Sequence, residues 1–159
     1  MSSENTPLAE AFMRQSVAAA KNNIRAQKAA REEDSARTLF LGLAMGQEAQ
    51  AKKALFLLRG RVGTTGENLA EALQETRELA VDALAWTDRA QAGGDRPAGA
   101  LLMQMARVQA SHLAAYERQA EGETVFHVCP VCGYIHAGGT PGRCPVCNAL
   151  PEKFVEVRL

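Results

Sequence analysis

Apolar residues recur at helical spacing through most of the chain. Leu8, Phe12 and Ala19 share one stripe, and Leu39, Phe40, Leu43 and Ala54 share another. Leu69, Leu73, Thr76, Ala80, Ala83 and Thr87 form a third, and Leu101, Met105, Val108 and Tyr116 a fourth. Punctuation marks four helices. The first runs from about Pro7 to Arg31, with Thr6 as N-cap and Pro7 at the first helical position, where a missing N–H costs nothing. The second starts near Asp34 or Ser35 and stops at Gly60, read as a left-handed C′ residue. The third follows Thr65 and closes at Gly93-Gly94, and the fourth begins around Pro97, after Asp95, and closes at Gly122. Helices of similar length with short connections predict an antiparallel four-helix bundle, with a crossover possible after Gly60 or Gly93.

Near residue 124 the helix formers Ala, Leu, Gln, Glu and Arg give way to Gly, Pro, Cys and Val. The expected organisation is therefore mostly α: a helical domain over 1–124 and a small module of short strands and turns over 125–159. At 159 residues there is no room for a large multidomain enzyme. Eighteen basic and eighteen acidic residues balance, which argues against a nucleic-acid partner held by phosphate neutralisation. The polar opening segment and the lack of a long apolar run predict neither a secretory signal nor a membrane span, hence a cytoplasmic protein. In that reducing compartment, clustered cysteines point to a metal rather than to disulfides.

Cys129, Cys132, Cys144 and Cys147 have the spacing C-x2-C-x11-C-x2-C. Two turns that each present two thiolates can close a tetrahedral S4 site, suited to zinc or to a single iron. Gly133 and Asn148 directly follow the second cysteine of each turn and are residue types that accept a left-handed backbone. That conformation lets backbone N–H groups point at the sulfurs. So short a segment buries little apolar surface, so metal binding should be part of its folding. His127 and His136 flank the site and read as surface histidines, since four thiolates complete it.

The stretch CPVCGYIHAGGTPGRCPVCNALPEKF, with Tyr134, Pro141, Pro151 and Phe154, resembles the rubredoxin-type tail of the rubrerythrin family. Leu8-x-x-Ala11-Phe12 and Asn68-Leu69 resemble the openings of the first and third helices of that family's ferritin-like half. The resemblance implies one iron in the four-cysteine site, with zinc as the alternative. It also implies a bundle di-iron centre that reduces hydrogen peroxide with electrons from the rubredoxin-type iron, often across a homodimer, in oxidative-stress defence. A redox protein as donor or acceptor follows from the same likeness.

The bundle positions depart from that pattern. Where the resemblance places metal ligands, this chain has Gln15, Gln47, Gln50, Thr76, Leu79, Gln109 and His112, so only the histidine remains. Glu75 and Glu78 have a ligand-like mutual spacing, but with Glu71 and Asp82 they form a stripe on the opposite side of the third helix from Leu69, Leu73 and Thr76. They read as a solvated face. The inward amides, joined by Asn22 and Asn23, predict a neutral hydrogen-bonded network of Gln15, Gln47, Gln50, Gln109 and His112 in the volume of the two irons. Met103 and Met105 read as core, Arg25, Lys28, Arg31, Glu32 and Glu33 as solvent-facing, and Trp86 as a possible subunit contact.

Three functions follow as expectations. The first is one-electron transfer through the iron of the four-cysteine site, with the bundle as dimerisation or docking scaffold. The second is an active peroxide reductase using Glu75, Glu78, His112 and carboxylates such as Glu33 or Glu48. The third is a zinc-ribbon interaction protein without redox chemistry.

Overall fold

The computed structural model describes residues 6–59 and 62–158. Four helices come first: α1 (Thr6–Arg31), α2 (Ala36–Arg59), α3 (Thr65–Ala92) and α4 (Arg96–Ala120). Three short strands follow: β1 (Val125–Val128), β2 (Ile135–Ala137) and β3 (Val155–Arg158), with a 3-10 turn over Pro151–Lys153. By contacts the chain divides into two compact units, one ending at Thr64 and one beginning at Thr65, so the composition shift near 124 falls inside the second. Among the described residues no helix is long and apolar enough to cross a membrane.

The helix ends follow the sequence punctuation closely. Gly94 takes φ +74°, while Gly94 N–H donates to Gln91 O and Asp95 N–H to Ala90 O, the paired bonds of a Schellman cap. Asp95 then caps α4 by accepting from Ala98 N at 3.0 Å. Gly122 repeats the device at the end of α4, with φ +98° and Glu123 N–H donating to Arg118 O. The cap of α1 has no glycine: Glu33 holds φ +55° while Asp34 N–H donates to Ala29 O. The expected cap at Gly60 lies outside the described residues, as does the side chain of Thr6.

In the first unit α1 packs on α2 through alanine. Ala19, Ala26 and Ala29 face Ala44, Ala51 and Ala54, all buried. Small residues let two helix backbones approach closely, so the seam is narrow and larger side chains fall outside it. Here the structure corrects the sequence reading of the core: Leu39 is 61% exposed, and Leu43 is exposed too. In the second unit α3 pairs with α4, where Ala83, Thr87, Gly99 and Ala106 are buried, while Val108 and Ser111 are buried on the face of α4 toward the metal module. A Cβ at Gly99 would stand 3.3 Å from Gln91 Cγ, so glycine admits the close start of α4. Leu69, Leu101 and Met105, also expected as core, are exposed for the same reason.

The strands form one antiparallel sheet in the order β2-β1-β3. His127 pairs with His136 on one side and with Glu156 on the other. The sheet carries the two cysteine turns and packs through β2 against α4.

Candidate metal centre

The two turns are built alike. In the first, Gly133 N–H donates to Cys129 O and Cys129 N–H to Tyr134 O, both at 2.8 Å. In the second, Asn148 N–H donates to Cys144 O at 2.8 Å and Cys144 N–H to Ala149 O at 2.9 Å. Gly133 (φ +86°) and Asn148 (φ +61°) supply the left-handed residue that each turn needs, as their positions in the sequence predicted.

The four sulfurs lie within 4.8 Å of one another. Cys129 Sγ is 3.6 Å from Cys147 Sγ, and Cys132 Sγ is 3.5 Å from Cys144 Sγ. A metal with bonds of about 2.3 Å to four thiolates in a tetrahedron has sulfur edges of about 3.8 Å, so the set fits one such ion. Cys129 and Cys144 are buried, while Cys132 and Cys147 are half-buried.

Burial pushes the Cys132 thiol well above its ordinary range, against the pull of the Tyr134 N–H. It also raises Cys147, despite the Ala149 N–H. At Cys144 burial is outweighed by the N–H groups of Cys147 and Val146, with a sulfur contact to Cys132, and the thiol falls to about 7. Backbone donors therefore aim at three of the four sulfurs, a neighbourhood suited to thiolates holding a cation.

Residues 127–155, which span both turns, match the family described as rubrerythrin, rubredoxin-like domain. The C-terminal module is thus of the rubrerythrin rubredoxin-like type. This module is 43% identical over 44 residues to nigerythrin of Nitratidesulfovibrio vulgaris, a match covering 27% of this chain and 22% of nigerythrin. It is 58% identical over 31 residues to reverse rubrerythrin-1 of Clostridium acetobutylicum, covering 19% of this chain and 17% of that protein. These matches span about a fifth of the relatives' length. The helical part is related by fold. The mixed-valence structure of nigerythrin aligns with 99% of this chain and 88% of its own, at TM-score 0.55 and 23% identity. Its fully reduced, all-ferrous structure aligns over the same shares at TM-score 0.56 and 20% identity. The chain is thus similar to nigerythrin in fold, and its rubredoxin-like site of four cysteines can bind a metal ion.

The remaining predicted residues are distributed between the two units. In the first, Gln15 Nε2 donates to Gln50 Oε1 at 2.9 Å, and Asn22 Nδ2 to Gln47 Oε1 at 2.8 Å. Asn22 is buried, and its Oδ1 accepts from Arg25 at 2.7 Å; Asn23 is exposed. In the second unit Thr76 Oγ1 donates to Ala72 O and lies 3.5 Å from the Tyr116 hydroxyl. Leu79 is exposed and Gln109 half-buried. Thr76, His112 and Tyr116 border a cleft of about 340 Å³ walled by Phe126, Val128 and Ile135, with no carboxylate in its lining. Glu75 and Glu78 are exposed, and Glu78 accepts from Gln74. Among the described residues, the only group of three or more His, Cys, Asp or Glu side chains placed to hold a metal is the four cysteines.

His112 does something the sequence reading missed. Its Nε2 donates to the carbonyl oxygen of Gly133 at 2.8 Å, so the ring is tied to the first cysteine turn. One residue earlier, Ser111 Oγ accepts from Ile135 N at 3.1 Å and donates to Val108 O. A Cβ on Gly133 would lie 3.6 Å from Val108 Cγ1. One face of α4 thus seats the first cysteine turn. No local pattern announces this, because the bonded partners are 21 and 24 residues apart.

The reading of His127 as a surface group is corrected. It is buried, with Nδ1 donating to Gly138 O at 2.7 Å and Nε2 meeting Thr140 Oγ1 at 2.9 Å. Its place on the central strand, between β2 and β3, buries the ring and lets it pin the loop after β2. His136 is half-buried, with Nδ1 3.3 Å from the Tyr134 hydroxyl.

Proposed function

We propose that this protein is a one-electron carrier whose four-cysteine site holds iron and whose helices have lost the di-iron centre suggested by the family resemblance. The observation that carries the reading is the contrast between the two parts. Four cysteine sulfurs converge and three of them take backbone N–H donors, whereas the seven expected bundle positions hold amides, a threonine, a leucine and one histidine.

An iron held by the four thiolates would supply reversible one-electron chemistry. The N–H groups of Tyr134, Val146, Cys147 and Ala149 stabilise negative charge on sulfur, which favours the reduced, more negative state of such a site. Gly133 and Asn148 keep those donors aimed. The α4 seat made by Val108, Ser111 and His112 fixes the first turn against a helix.

Two ferrous ions need carboxylate charge to neutralise them, and the residues at the expected positions do not supply it. Gln15 and Gln50 spend their amides on each other, and Gln47 spends its oxygen on Asn22. His112, with its Nε2–H on Gly133 O, keeps a lone pair on Nδ1 but brings no negative charge. Exposure turns Glu75 and Glu78 to solvent, which disfavours the rival peroxide-reductase reading.

We assign the helices a scaffold role in a homodimer, with a redox protein as the exchange partner of the four-cysteine site. The support is the quantity of large apolar side chain left exposed on the helices, such as Leu39, Leu57 and Leu101. Hydrogen peroxide mixed with reduced, iron-loaded protein tests the electron-carrier reading. Slow oxidation without turnover is expected, and sustained peroxide consumption would return the enzyme reading.

A further inference from the structure

Beside the cysteine turns, α4 and the metal module border another, open cleft, of about 470 Å³. That size falls in the range of small-molecule sites. Its apolar lining includes Ala115, Ile135 and Val146, half-buried, with Ala114 and Pro145 exposed at its edge. Ser111 also lines it, but its hydroxyl is already spent on Val108 O and Ile135 N. The ionisable groups of the lining are Arg107, Arg118, Tyr134 and His136, with no carboxylate. Arg118 is paired with Glu121 through one guanidinium nitrogen, whereas Arg107 takes part in none of the ion pairs found among the described residues. Tyr134 and His136 stack with ring centroids 6.3 Å apart and planes 30° apart, so one wall is aromatic. Pro145 and Val146 lie between Cys144 and Cys147, which puts the cleft against the second cysteine turn.

We propose that this cleft binds a planar aromatic molecule carrying a phosphate, of the flavin mononucleotide class. The phosphate meets Arg107, helped by Arg118, because a guanidinium fork matches phosphate oxygens. The ring lies against the apolar lining beside the Tyr134–His136 wall, where stacking and cation–π contact favour an aromatic face. The choice of a flavin rests on the electron-carrier role proposed above, since a flavin can release electrons singly to a one-electron centre. Binding itself needs no iron.

The full chain loaded with zinc, which is redox-silent, is titrated into flavin mononucleotide while the flavin fluorescence is followed. Riboflavin, adenosine monophosphate and inorganic phosphate serve as comparison probes. Saturable quenching is expected, with riboflavin and adenosine monophosphate at least tenfold weaker. Arg107→Glu should weaken flavin mononucleotide at least tenfold and leave riboflavin unchanged, while Ala114→Trp, which fills the cleft, should weaken both. Absence of saturable quenching, indifference to both substitutions, displacement by phosphate at equal concentration, or equal affinity for adenosine monophosphate would each overturn the proposal. Unchanged zinc content shows that the variants keep a folded module. Flavin binding by a chain that accepts no iron leaves this site standing and removes the electron-carrier reading. A reducible iron chain that ignores flavin does the reverse.

Discussion

The Nε2 atom of His112 lies 2.8 Å from the carbonyl oxygen of Gly133, which joins the middle of α4 to the residue after Cys132. Because a carbonyl only accepts, Nε2 carries the proton. A histidine that stands where the family resemblance suggests a bundle ligand therefore has a second use here. It holds the cysteine module on its helix.

His112→Ala should cost about 1 kcal/mol of local stability, the net worth of a neutral hydrogen bond. Amide exchange at Gly133 and Tyr134 should quicken several-fold, while metal content stays at one per chain. Glutamine, which can still donate, should restore part of the protection. Equal protection in the alanine variant would show that the bond holds nothing.

The left-handed Glu33 at the end of α1 is a second exposed relationship between sequence and backbone. A side chain in that region costs about 1 to 2 kcal/mol, partly offset by the greater unfolded-state freedom of glycine. Glu33→Gly should therefore raise stability by roughly 0.5 to 1 kcal/mol in a denaturant titration. At Asn148, where φ is +61°, alanine should lower the stability of the metal module and glycine should not.

The amide pairs of the first unit should differ in worth because they differ in burial. Asn22 is buried and bonded to Gln47 and Arg25, so Asn22→Leu leaves the half-buried Gln47 oxygen without its partner, while water takes over from it at exposed Arg25, and should cost about 1 to 3 kcal/mol. Gln50 is exposed, so Gln50→Ala should cost well under about 1 kcal/mol, because water replaces the bond to Gln15. Thermal unfolding of the two variants ranks them directly.

Glu123 links α4 to β1, its carboxylate accepting from Thr124 N and Val125 N at 2.9 Å each. These bonds, the one from Val125 first, hold its carboxyl below the ordinary value of 4.5. Their stabilisation is complete above the unfolded-state value and is lost as pH falls through the lower folded-state value. The Thr124 and Val125 amide resonances should therefore titrate together, with a midpoint below 4.5. Glu123→Gln should abolish that titration.

Much of the metal site could be read from spacing. Two C-x2-C pairs, Gly133 and Asn148 specify turns whose bonds are local, and the structure reproduces them. Gly94, Asp95 and Gly122 were equally readable, because capping is settled within a few residues. The core was less so. Helical periodicity marks an apolar face but not how much of it a neighbour covers, and the seam between α1 and α2 selects Ala44 and Ala51 while leaving Leu39 exposed. The roles of His112 and His127 depend on backbone oxygens brought near by folding, Gly133 and Gly138, and no spacing rule encodes those.

Metal content per chain, with the visible spectrum, tests the central claim most directly, on protein purified without added metal and again after anaerobic iron reconstitution. The account predicts one iron per chain, with thiolate-to-iron charge-transfer bands that bleach on reduction. About three irons per chain would contradict it by restoring a di-iron centre in the helices, and one zinc that iron cannot displace would contradict the electron-carrier role.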